Sequence, residues 1–165
     1  MFNHAPRSWI AGLVFAALAG CGGVSLSFVY FDDSSDHSAQ DLSFQEIIPV
    51  LPTSIGDRRL VVVRDVSNWD ALWREHTAGL SPSPSLPGVN FSQSMVAGIF
   101  LGPQMPCREV QITSVVRYFN PDHIDITFRE ANKLSATSCS ASSDNPSKII
   151  VLPYSTLPVN FIQID

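Results

Sequence analysis

The chain is short of basic residues, of cysteine and of long apolar runs. Lys and Arg number 10 against 15 Asp and Glu, a net charge of −5 over 165 residues. Scattered cations on an acidic chain do not make the clustered basic surface that holds nucleic-acid phosphates, so nucleic acid is not an expected partner. The same balance argues against electrostatic docking on anionic lipid, and solubility is the plainer meaning of the charge. No apolar run approaches the ~20 residues of a spanning helix. The one candidate, Trp9 to Leu18, is short and soon meets Gly22-Gly23. Catalytic signatures are missing as well. Serine is abundant, yet there is no G-x-S-x-G elbow, no H-E-x-x-H or Cys/His zinc spacing and no glycine-rich phosphate cradle. A Ser-His-Asp triad would have to be built on His76 or His123, and nothing in the spacing pairs either with a serine. Asp122-His123-Ile124-Asp125 gathers potential metal ligands but abuts a hairpin turn, where solvated turn residues are the better reading. No catalytic residue, cofactor or metal is therefore expected.

What is present begins with Leu18-Ala19-Gly20-Cys21. Arg7 supplies a weakly positive start, Trp9–Leu18 an apolar middle, and Ala19-Gly20 the small residues that precede a cleavage point. The box resembles the bacterial lipoprotein consensus at each of its four positions. That resemblance implies removal of residues 1–20, a diacylglyceryl group on the Cys21 thiol and usually a third acyl chain on the new amine. One acyl chain holds a membrane marginally; two or three hold it stably. Gly22 in place of Asp implies no inner-membrane retention signal, so the expected location is the outer membrane, facing the periplasm. With Arg7 gone, nine Lys and Arg face fifteen Asp and Glu, a mature charge of −6. Residues 21–43 then read as a Gly/Ser/Asp-rich tether. Within it, Phe28-Val29-Tyr30-Phe31 does not suit a solvated tether; it reads as an early edge strand pairing with the domain, in preference to a short contact with membrane or partner.

Residues 44–165 read as the folded domain. Phe44–Val50 is a short edge strand or loop ending in Pro49 and Pro52. Leu60-Val61-Val62-Val63 is a continuous apolar run, hence a buried strand. Ser67 with Asp70 fits a capping box at the start of a helix over Ser67–Thr77. Val66, Trp69, Leu72, Trp73 and His76 share one helical face. That stripe reads foremost as core, and as a partner surface through Trp69, Trp73 and His76 if it were left uncovered. Pro82, Pro84, Pro87 and Gly88 mark an exposed loop. Met95–Leu101 is apolar on both alternating faces, the mark of a central strand. Val110–Tyr118 and Ile124–Phe128 alternate around an Asn120-Pro121-Asp122 turn, a long hairpin with one wet face. A Ser-rich loop, a buried strand over Ile149–Leu152 and a last strand over Val159–Ile164 follow. With one helix there is no repeated βαβ unit. The expected fold is a single α+β domain, a curved and mostly antiparallel sheet or partial barrel with one covering helix.

Val63-Arg64-Asp65 followed by Val66–His76, then Val89-Asn90-Phe91-Ser92 and Met95–Gly102, and then the hairpin to Arg129-Glu130, resemble the PrcB-type C-terminal domain, a protease-complex-associated module. The resemblance spans roughly Leu60 to Ile164. The family's Gly-Gly-Tyr-type turn is replaced here by Gln104-Met105-Pro106-Cys107-Arg108. It implies a non-catalytic accessory domain that binds an envelope protein, a protease among the candidates, and it supplies no catalytic residues. The alternative class is a hydrolase or small-ligand binder with an unrecognised site, which would need a cleft lined by His76 or His123 with a Ser or Asp in reach. The three cysteines complete the reading. With Cys21 acylated, Cys107 and Cys139 remain in an oxidising compartment. They flank the two ends of the hairpin, so a Cys107–Cys139 disulfide is expected.

Overall fold

The computed structural model describes residues 38–104, 106–133 and 145–165. The leader, the Leu18–Cys21 box, the tether to His37 with Phe28–Phe31, and the Ser-rich loop with Cys139 lie outside the described residues. The eight strands among them are β1 (Ala39–Asp41), β2 (Gln45–Glu46), β3 (Arg58–Val63), β4 (Ser94–Leu101), β5 (Arg108–Phe119), β6 (Asp122–Asn132), β7 (Ser147–Pro153) and β8 (Val159–Ile164). A single helix, α1 (Val66–His76), joins β3 to β4.

The strands form two four-stranded sheets, one ordered β1-β5-β6-β8 and the other β2-β7-β4-β3, not the one curved sheet or partial barrel expected. Every pairing is antiparallel except β6 with β8, which is parallel. The two sheets share one core. Met95, Ala97, Ile99 and Leu101 of β4 and Ile150 and Leu152 of β7 meet Val110 and Val115 of β5 and Ile124, Ile126 and Phe128 of β6. The other face of the second sheet, with Val63, Val96, Phe100 and Ile149, takes the helical stripe of Trp69, Leu72 and Trp73. The helix therefore covers the outside of a sheet and does not plug the mouth of a barrel.

Sequence period accounts for most of this. β5 and β6 alternate and have one buried face. β4, apolar from Met95 onward, has both neighbours and is buried over seven of its eight residues. Close approach explains Gly98 within it, where a Cβ would come within 2.8 Å of the Phe100 ring and 3.1 Å of Val61. Gly102 ends the strand at φ +70, with the Arg58 N and Gly56 O at 3.3 Å from a would-be Cβ, a position only glycine fills without strain.

Three expectations are corrected. β3, expected to be buried, is an edge strand that pairs with β4 among the described residues and is mostly only partly buried; its apolar run is continuous because the inter-sheet core takes Leu60 and Val62 while the helix side takes Val61 and Val63. The helix N-cap is Asp65, not Ser67. Asp65 has extended backbone (φ −148) and its carboxylate accepts from the Asn68 N–H at 2.9 Å and the Asn68 amide at 2.6 Å. A charged acceptor at the positive end of the helix dipole outcompetes a hydroxyl two residues on. Last, pairing with β5 begins at Ala39, inside the stretch read as tether.

Candidate functional site

The helical stripe is not a surface. Trp69, Trp73 and His76 are only 1%, 5% and 3% exposed. Both indoles donate outward to the proline-rich loop, Trp69 Nε1 to the Pro87 carbonyl at 2.9 Å and Trp73 Nε1 to the Pro84 carbonyl at 3.2 Å. The two ring NH groups thus find acceptors while the rings stay in the core, at 5.4 Å between centroids. The exposed proline-rich loop is strapped over the helix, and burial leaves Trp69, Trp73 and His76 no surface to offer a partner.

His76 closes the stripe. Its ring lies 5.4 Å from that of Trp73 and 5.8 Å from that of Phe100. Its Nδ1 is buried without a hydrogen-bond partner. Burial among apolar groups holds its pKa below the ordinary histidine value. The crevice it lines with Ile47, Leu51 and Ser147 has a volume of about 10 Å³. That is room for about one water molecule, not for a substrate.

His123 and Asp125 lie on the outer face of the first sheet. The His123 ring stacks on Tyr118 at 4.9 Å, its Nδ1 contacts the Pro121 carbonyl at 2.7 Å, and its Nε2 lies 3.4 Å from Asp125. Asn160 donates to Asp125 at 2.9 Å. Both ring nitrogens of His123 and one carboxylate oxygen of Asp125 are turned on neighbours, and among the described residues no three potential ligands gather to hold a metal ion. A wider groove of about 470 Å³ runs past Leu51–Thr53, Arg108–Val110 and Ser147–Lys148. Two of its cations are already engaged, Arg108 with Glu130 at 3.3 Å and Lys148 with Glu46 at 2.8 Å.

Cys107 is disulfide-bonded. Both other cysteines, Cys21 and Cys139, fall outside the described residues. The hairpin does bring its ends together as expected: Arg108 faces Asn132, and the Lys133 N–H donates to the Cys107 carbonyl at 2.8 Å. Cys107 itself has a left-handed backbone, φ 68.

The feature that sequence reasoning missed is an edge. Of the four sheet edges, β1 has three residues and β2 two, while β3 opens with Arg58-Arg59. Short or charged edges resist pairing with other chains. β8 has neither guard. Its six residues, Val-Asn-Phe-Ile-Gln-Ile, carry no charge and no proline, and Ile162 and Ile164 are 39% and 41% exposed. No described residue pairs with its outer side. The signal was present in the absence of any charged residue or proline from Val159–Ile164. Comparison of the chain with protein-family models, with characterised proteins and with solved structures finds no match.

Proposed function

We propose that the protein is a lipid-anchored, non-enzymatic envelope lipoprotein whose domain binds another envelope protein. Cys21 carries the acyl chains, and the outer membrane, on its periplasmic side, is the proposed location. The Leu18–Cys21 box supports the anchor. The single observation that supports the binding role is the uncharged, six-residue open edge of β8. An unguarded edge presents a row of backbone donors and acceptors, and extended segments of other proteins recognise such rows by adding a strand. The resemblance to the PrcB-type C-terminal domain makes a protease complex the first partner to look for.

A photo-reactive amino acid at Ile162 of the membrane-bound protein tests the reading. A discrete adduct with one envelope protein is expected, together with loss of membrane partitioning in Cys21→Ser. A protein that forms no adduct at Ile162, or a Cys21→Ser variant that partitions as the wild type does, overturns the corresponding half of the proposal.

A further inference from the structure

The two open sides of the sheet pair are built differently. On one, the chain itself passes from β1 to β2, and Leu42 and Phe44 pack into the inter-sheet core on the way. On the other, β3 and β8 are the edge strands of their two sheets and do not pair with each other. Among the described residues only side chains fasten this side. Arg58 Nη2 donates to Gln163 Oε1 at 2.9 Å. Arg64 reaches the loop before β8, giving its Nε to the Ser155 carbonyl at 2.7 Å and its Nη2 to the Leu157 carbonyl at 2.9 Å. Between these links Leu60 and Val62 of β3 and Val159 and Phe161 of β8 pack on the core yet stay only partly buried.

This side therefore lacks three things at once. Among the described residues the outer backbone row of β8 has no partner strand. The apolar flank between the sheets is half covered. Arg58 has no carboxylate among the described residues, whereas its neighbour Arg59 is held by Asp57 at 2.9 Å and Glu75 at 2.7 Å. Each lack specifies part of a ligand. A backbone row asks for an extended segment. A half-covered apolar flank asks for apolar side chains on that segment's inner face. A lone guanidinium at its rim asks for a carboxylate, with which it makes a paired, charge-assisted contact.

We infer that β8 takes a fifth strand from a partner protein. The strand alternates apolar residues over Leu60, Val62 and Phe161 and bears an acidic residue against Arg58. This rests on the protein-binding reading above and adds the chemistry of the partner. A second copy of the chain is the poorer occupant, because β8 carries no carboxylate and two acidic molecules repel.

The test uses the full-length lipidated protein in detergent micelles. The probe is a capped peptide of about nine residues, longer than β8 by one or two residues at each end. It alternates valine and threonine with one glutamate on the valine face, and its twin carries lysine there. The glutamate peptide is expected to bind about tenfold tighter than the lysine twin at low salt. It should slow amide exchange along β8. Arg58→Gln should erase the preference and Arg58→Glu should reverse it, with melting curves confirming that both variants fold. Equal affinity for the two peptides overturns the inference. So does a preference that survives Arg58→Gln, protection that appears away from β8, or sedimentation showing a dimer that excludes the peptide. If neither peptide binds while the Ile162 adduct still forms, the partner chemistry is wrong and the protein-binding reading stands. If both fail, both are wrong.

Discussion

His76 ends α1 with one ring nitrogen buried and unpaired, and its position makes stability depend on pH in a definite direction. Burial lowers its pKa in the fold, while in the unfolded chain it titrates near ~6.5. Between those two values the unfolded state binds a proton that the folded state does not. Stability is therefore full above about 6.5, falls as pH drops toward the folded value, and levels off below it. His76→Phe keeps a ring against Trp73 and Phe100 and removes the titration. Its melting temperature should hold steady over that window while the wild type falls; parallel curves would sink the assignment. Asp65 acts in a separate window. The Asn68 backbone N–H pulls its pKa below the ordinary carboxylate range, so its contribution persists down to about 4 and is lost as pH falls further. Asp65→Ala should lower the melting temperature at neutral pH and Ser67→Ala should leave it in place, as checked by calorimetry. Ser67 with Asp70 is the cap that the sequence suggests; the extended backbone at Asp65 places the cap two residues earlier.

At the scale of elements, the helix and the proline-rich loop behave as one unit. The stripe was readable from its spacing, since Trp69, Leu72, Trp73 and His76 recur at helical intervals and are the buried residues of α1. The loop's attachment was not readable, because it depends on two indole NH groups meeting two carbonyls more than ten residues away. Truncating either ring to Ala should cost about 3–5 kcal/mol in chemical denaturation. Trp69→Phe keeps most of the packing and should cost about 1 kcal/mol, the worth of the lost hydrogen bond to Pro87. It should also raise proteolysis within residues 80–90. If Trp69→Phe melts like the wild type and the loop is cut no faster, the loop is held by something other than its indoles. The hairpin of β5 and β6 was legible from its period of two, and β4 and β7 from their apolar runs. The place of β3 was not. An edge strand covered by a helix on one face and a sheet on the other has the same continuous apolar run as a central strand. Nor does alternation encode direction, so the parallel pairing of β8 with β6 could not be read.

For the molecule as a whole, the proposed anchor and the fold are tied together by cysteine. The chain has three cysteines, and Cys107 is disulfide-bonded. Its partner within the chain is Cys139 or Cys21, and each choice has a different consequence for the membrane. A thiol cannot be both thioether-linked to lipid and paired in a disulfide. If Cys139 is the partner, Cys21 is left for acylation, and both sequence-based expectations stand together. If Cys21 is the partner, the lipoprotein reading fails outright. The geometry near Cys107 suits the first choice. Lys133 lies across the hairpin from it, and the six-residue step from there to Cys139 spans up to ~20 Å when extended, more than enough to return. Closing that loop of about 32 residues should stabilise the fold by roughly 3–4 kcal/mol in the chain-entropy model. It would also hold Cys107 in its left-handed conformation and fix the end of β5. Peptide mapping without reductant, on protein extracted from the envelope, is expected to give a Cys107–Cys139 linked pair and an acylated peptide beginning at Cys21. Cys139→Ser should lower the melting temperature and leave detergent partitioning intact, whereas Cys21→Ser should do the reverse. A linked Cys21–Cys107 pair would overturn the proposed anchor, and with it the proposed outer-membrane location.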